Sequence, residues 1–284
     1  MTLWQNITYK MLHTRSKLFL LIGINVAVFL LINVPATFEL WFLKTGYITS
    51  FSTEYLALPA SFEKLATRFW TPITYMFMHA DVFHILFNML WLYWMGQIFE
   101  EYLGTKRTLG LYILGGLSGA LFFLLAMNFI PGLTNPDAII VGASAGVMAI
   151  IIATATLLPN YTIHLFLFGP VKLKWLAIFY VLIDFLSTAG SNAGGSIAHL
   201  GGALLGFIYI KRLQSGSDWI GSINKMFTPQ PKMKVVVKNP EKNTSAKPKQ
   251  EEIDRILDKI SLSGYDNLTR QEKEILFRAS KDEG

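Results

Sequence analysis

Cysteine is absent from the 284 residues, which excludes disulfides and thiolate metal sites and leaves the redox compartment open. Charge is scarce too. Asp, Glu, Lys and Arg make up 15% of the chain, against about 25% in ordinary soluble domains. Hydrophobic residues fill 52% and mean hydropathy is +0.40, more apolar surface than a water-soluble fold of this length hides. The excess is segregated into long runs before about Arg212, and the remainder is polar. This pattern excludes an ordinary soluble domain and implies a membrane domain with a soluble tail. The net charge of +6 is compatible with nucleic-acid binding. Lys and Arg, however, gather at the ends of apolar runs and in the tail, so membrane topology accounts for them and no nucleic-acid partner is implied.

A membrane-crossing helix needs about 20 mainly apolar residues. Six stretches qualify: Leu18–Val34, Val82–Ile98, Thr108–Ile130, Ala138–Leu158, Trp175–Thr188 with its apolar flanks, and Ser196–Ile210. The first is long for a signal-peptide core, and no small-x-small cleavage site follows it closely. Lys10, Arg15 and Lys17 precede it, and alternation then puts Lys106, Arg107, Lys172, Lys174, Lys211 and Arg212 on the same side. The positive-inside rule makes that side cytoplasmic, with both termini there. The expected organisation is a cytoplasmic segment 1–16, a membrane core 17–212, a flexible linker 213–250 and a small helical tail 251–284.

The first loop, about Pro35 to Asp81, is too long and apolar for a plain connector. Phe38, Leu40, Trp41, Phe42, Tyr47, Phe51, Trp70, Tyr75 and Phe77 predict a folded segment at the outer interface, where aromatic rings are favoured. In the tail, Pro229, Pro231, Pro240 and Pro248 among lysines predict a linker. Ile253, Ile256, Leu257 and Ile260 then predict a helix closed by Gly264, and Thr269 with Glu272 a capping box for a second.

Polar groups inside a bilayer are costly and tend to be functional. The runs contain Asn25, His84, Asn88, Ser118, Asn128, Ser144, Asp184 and His199. His84 and Asn88 come early in the second run, Ser144 early in the fourth and His199 early in the sixth. All three runs point from outside to inside, so these groups share one depth near the outer face. His84 and Asn88 are i and i+4 and project from one helix face. Ser144 sits in Gly142-Ala143-Ser144-Ala145-Gly146, and His199 is followed by Gly202-x-x-x-Gly206, a close-packing spacing. Two such helices approach closely enough for a serine to meet an imidazole, which activates the hydroxyl by general-base catalysis. The bland alternative is that serine and histidine merely back-bond or pack within the bundle. His79, His84 and His199 form a weak metal set, because no HExxH motif accompanies them.

The stretches His79-Ala80-Asp81-Val82-Phe83-His84-Ile85-Leu86-Phe87-Asn88, Gly142-Ala143-Ser144 and Ala198-His199-Leu200-Gly201-Gly202 with Gly206 resemble the rhomboid intramembrane serine proteases, over about residues 15–212. The resemblance implies an all-α polytopic membrane protein with a six-helix core and a catalytic Ser144–His199 dyad without a carboxylate. It further implies an oxyanion site at His84, Asn88 and the Ser144 amide, Phe87 near the substrate's way in, and no metal or cofactor. Transmembrane proteins are the implied substrates, with membrane lipids as surroundings in the cell membrane. Two positions depart from the family pattern: Ala145 replaces the glycine usual after the nucleophile, and Met148 replaces an aromatic that packs on the histidine. Asp184, the one acid inside a run, lies near the same depth. The triad role that this depth allows it runs against the dyad that the resemblance implies, so it is expected instead to cap the end of a neighbouring helix or meet water at the interface. The rival functions are a catalytically silent relative that binds transmembrane helices, which has no need of an intact serine, and a solute transporter, whose repeat symmetry is not evident.

Overall fold

The computed structural model describes residues 16–165, 169–222 and 250–281. The N-terminal basic cluster at Lys10 and Arg15 and most of the expected linker lie outside them. The chain divides into two compact units, residues 1–230 and 231–284.

The first unit is a helical bundle. Helix α1 (Lys17–Leu43) leads into a folded first loop: α2 (Tyr47–Leu56), strand β1 (Leu58–Pro59), α3 (Phe62–Thr67), α4 (Thr71–Thr74) and a 3-10 turn over Tyr75–Phe77. Then come α5 (Val82–Leu103), α6 (Thr105–Phe129), β2 (Ile139–Ile140) and α7 (Ser144–Leu157). A hairpin of β3 (Thr162–Leu165) and β4 (Gly169–Lys172) precedes α8 (Leu173–Ser187) and α9 (Ala193–Gln214). Helices α1, α5, α6 and α9 are long and apolar enough to cross a membrane. Of the six expected crossings, the fourth and fifth are only 14 and 15 residues as helices. The fourth is short because Ala138–Gly142, expected to be helical, runs extended: Ile140 and Ile139 pair antiparallel with Leu58 and Pro59.

Helix α7 is the axis of the bundle, with all of Ala145–Ala155 buried. Small residues let its neighbours reach its backbone. A Cβ added to Gly202 of α9 would lie 2.0 Å from the Ala145 carbonyl oxygen, and one on Gly206 would lie 2.2 Å from that of Ala149. On the α6 side, added Cβ atoms on Gly115 and Gly119 would meet the methyls of Ala149 and Ala145 at 2.4 and 2.5 Å.

The first loop is tied down by polar contacts. Glu39 accepts the Tyr47 and Ile48 amides at 2.6 and 2.8 Å, capping α2. Asn128 at the end of α6 donates to the Ala60 carbonyl at 2.9 Å. Phe38, Leu40, Trp41, Phe42, Tyr47 and Phe51 are exposed, as an interfacial segment requires. Phe77 is half-buried against the core, and Tyr75 departs further from that expectation. It is buried and donates to the Gly116 carbonyl at 2.6 Å, so it belongs to the core.

The bundle also runs past its expected end at Arg212. Asp218 pairs with Arg107 at 2.6 Å, Trp219 meets Tyr209 edge-to-face, and Ile220 is buried.

The second unit pairs α10 (Gln250–Ser263) with α11 (Arg270–Lys281). Gly264 ends α10 in the left-handed region at φ 82°. Thr269 and Glu272 form the expected reciprocal cap, and Lys259 donates to Glu272 at 2.8 Å. These bonds, that from Lys259 first, hold the Glu272 carboxyl at about 2.

Candidate active site

Helix α7 begins at Ser144, and residue 143 supplies no side-chain cap. The amides of its first turn are therefore available to an anion, on the positive end of the helix dipole. The chain can turn into this helix only at a glycine. Gly142 has φ 136°, its amide donates to the Tyr75 carbonyl at 2.9 Å, and a Cβ there would lie 2.9 Å from His84 Nε2 and 3.3 Å from Ser144 Oγ.

The seam between α7 and α9 brings His199 to the serine. Its Nε2 lies 2.7 Å from Ser144 Oγ. A third side chain completes the line: Asp184 Oδ1 lies 2.8 Å from His199 Nδ1. This corrects the expectation that Asp184 caps a helix or meets water. Helix α8 turns Leu173, Leu176 and Asp184 inward as one stripe, and the carboxylate is 8% exposed.

His84 stands in the first turn of α5, where the Asp81 side chain caps the helix by accepting the His84 amide at 2.9 Å. Its Nδ1 accepts the Ala80 amide in a long contact of 3.4 Å. That assigns the ring proton to Nε2, the nitrogen beside Gly142. His79 packs edge-to-face against this ring, with centroids 5.1 Å apart. Burial, and then the neighbouring His84, push His79 down to about 4, so its ring is neutral at pH 7. Asn88, one turn along α5, donates one amide hydrogen to the His84 carbonyl at 2.8 Å, leaving the other free to point elsewhere.

A cavity of about 180 Å³ joins these elements, lined by Phe87, Asn88, Ser144, Met148, Asp184 and His199 among others. Ala145 points away from it: its methyl fills the space opposite Gly119, which is why alanine fits after the serine. The other intramembrane polar residues are structural. Asn25 bonds Tyr112 at 3.2 Å, and Ser118 donates to the Gly201 carbonyl at 2.8 Å, tying α6 to α9. Sequence reasoning passed over Gly115-x-x-x-Gly119, whose spacing carries the same packing signal as Gly202-x-x-x-Gly206.

Comparison with known proteins bears on the same stretch. The rhomboid domain matches residues 66–215, and a family of unknown function (DUF6576) matches residues 241–282. RHOMBOID-like protein 12, mitochondrial, of Arabidopsis thaliana is 35% identical over 162 residues, covering 52% of this chain and 48% of that protein. Rhomboid protein 1, mitochondrial, of Saccharomyces cerevisiae is 28% identical over 237 residues, 75% of this chain and 61% of that protein. Rhomboid protease GlpG of Pectobacterium atrosepticum is 27% identical over 132 residues, 40% of this chain and 42% of that protein. The chain spans about half the length of the relatives it matches. The matched domain covers more than half of the 284 residues and includes both Ser144 and His199, and the chain belongs to the rhomboid family.

Proposed function

We propose that the protein is a membrane-embedded serine endopeptidase that cleaves transmembrane segments of other membrane proteins. The 2.7 Å contact between Ser144 Oγ and His199 Nε2 at the start of α7 carries this reading. His199 Nε2 takes the hydroxyl proton as Oγ attacks a substrate carbonyl carbon. The oxyanion that forms is met by the first-turn amides of α7 and the Nε2–H of His84, with Asn88 nearby. Collapse breaks the C–N bond, and His199 hands its proton to the departing amine. Water, deprotonated by the same imidazole, then releases the acyl group from Ser144. This chemistry calls for no metal or cofactor.

Phe87, 56% exposed, lines the cavity from the side where α5 and α8 meet through the Trp91 and Tyr180 rings, 5.5 Å apart. We take this side as the substrate's way in. A peptide carbonyl must first leave its helix, so segments with small or helix-breaking residues are the better substrates. The basic residues at the ends of the apolar runs support both termini lying in the cytoplasm, with the site toward the outer face of the cell membrane.

A catalytically silent binder of transmembrane helices is the rival reading, and the intact serine–imidazole contact speaks against it. Covalent labelling by a fluorophosphonate, together with cleavage of a model transmembrane substrate, separates the two. Wild type is expected to label and cleave, and Ser144→Ala and His199→Ala to lose cleavage while remaining folded. Cleavage by purified Ser144→Ala overturns the assignment.

A further inference from the structure

Asp184 occupies an odd place for an acid. Helix α8 exposes Phe179, Leu182, Phe185 and Leu186, while its inward stripe is otherwise apolar. A carboxylate taken out of water in such surroundings is strongly disfavoured unless a partner compensates it. Among the described residues, its one hydrogen-bond partner is His199, at 2.8 Å. It caps no helix end: among the described residues no backbone amide donates to its carboxylate.

The two nitrogens of His199 are thus engaged from opposite sides, Nδ1 by a carboxylate and Nε2 by a hydroxyl. A neutral imidazole carries one N–H, and a carboxylate can only accept. The proton therefore sits on Nδ1, and the lone pair of Nε2 faces Ser144. That is the tautomer a general base needs.

We propose that Asp184 is a positioning residue for the reaction, the third member of a Ser144–His199–Asp184 line. It holds the imidazole's tautomer and orientation and stabilises the imidazolium formed as Ser144 attacks. The proposal rests on the reading of Ser144 and His199 as the hydrolytic pair. No proton passes to the carboxylate: it stays on Nδ1 while Nε2 takes and returns the serine's.

The test uses the full-length chain in detergent, with Asp184→Asn, Asp184→Ala and Asp184→Glu. The readouts are the rate of fluorophosphonate labelling at Ser144, kcat and KM on a transmembrane substrate, and thermal stability. Asparagine presents an N–H that favours the wrong tautomer, so Asp184→Asn is expected to lower labelling and kcat by about 10²–10⁴-fold. KM should stay within about threefold of wild type, since the loss falls on the transition state. Asp184→Glu should recover at least about tenfold over Asp184→Ala, because it restores a carboxylate that can orient the ring. Labelling and turnover of Asp184→Asn within about threefold of wild type overturn the proposal. If the variants do not fold, nitrogen NMR of wild-type His199 decides: a proton on Nδ1 supports the proposal and one on Nε2 overturns it. A folded wild type that never labels at Ser144 overturns the protease reading and this proposal with it. A labelled wild type beside an equally labelled Asp184→Asn overturns this proposal alone.

Discussion

His84 and Asn88 share a face of α5 yet stand differently toward the serine. The Nε2 of His84 lies beside Gly142, and its proton is assigned there by the Ala80 amide on the other nitrogen. Asn88 spends one of its two amide hydrogens on the His84 carbonyl and lines the cavity a turn further along. His84 is thus the better placed donor for an oxyanion. Loss of such a donor commonly lowers kcat by about 10²–10³-fold. His84→Ala is expected to fall in that range and Asn88→Ala to fall short of it, measured as turnover of one model substrate by folded protein. The reverse order would make Asn88 the principal donor. The shared depth of Ser144, His84, Asn88 and His199 was legible from their distance to the ends of apolar runs. The partner of Asp184 was not. Its depth could be counted along the chain, but which neighbour it faces depends on how α8 is rotated against the bundle, and an almost uniformly apolar helix leaves that rotation unmarked.

Between α7 and its neighbours the contact is made by backbone and methyl groups. Gly202 and Gly206 face the Ala145 and Ala149 carbonyls, and Gly115 and Gly119 face their methyls. A side chain at Gly202 has no flexible neighbour to push aside, so the whole of α9 must move, and His199 with it. Overpacking a well-filled interface costs about 1–3 kcal/mol. Gly202→Val should therefore lower thermal stability and abolish cleavage together, whereas Leu204→Ala, on the exposed side of the same helix, should change neither. A fully active Gly202→Val would mean that the helices are less closely locked than they look. The α7–α9 half of this seam could be read from glycine spacing. The short extended segment before Ser144 could not, because Ala138–Gly142 is as apolar as the helix that follows, and only its pairing with Leu58 and Pro59 draws it out.

At the scale of the molecule, the membrane body does not stop where the hydropathy does. Burial works against the Asp218 carboxylate, but the Arg107 guanidinium holds it below the usual carboxylate range, and Ile220 is buried nearby. A polar stretch after the last apolar run looks like linker in sequence, and only the partner on α6 reveals otherwise. A chain ending after Ser222 should match the full-length protein in thermal stability and cleavage. One ending after Gln214 should be less stable by at least about 2 kcal/mol, the usual worth of one buried isoleucine side chain. Equal melting temperatures for the two truncations would show that the 218–222 contacts contribute nothing. The seam around α7 has a further consequence, in the language of mechanics. Where two helices touch through backbone there are no rotamers to absorb a displacement, so Ser144 and His199 ride on a stiff joint. Across the cavity, α5 and α8 touch through the rings of Trp91 and Tyr180, a compliant joint. A displacement of α8 would therefore lengthen the Asp184–His199 contact while leaving the Ser144–His199 contact in place.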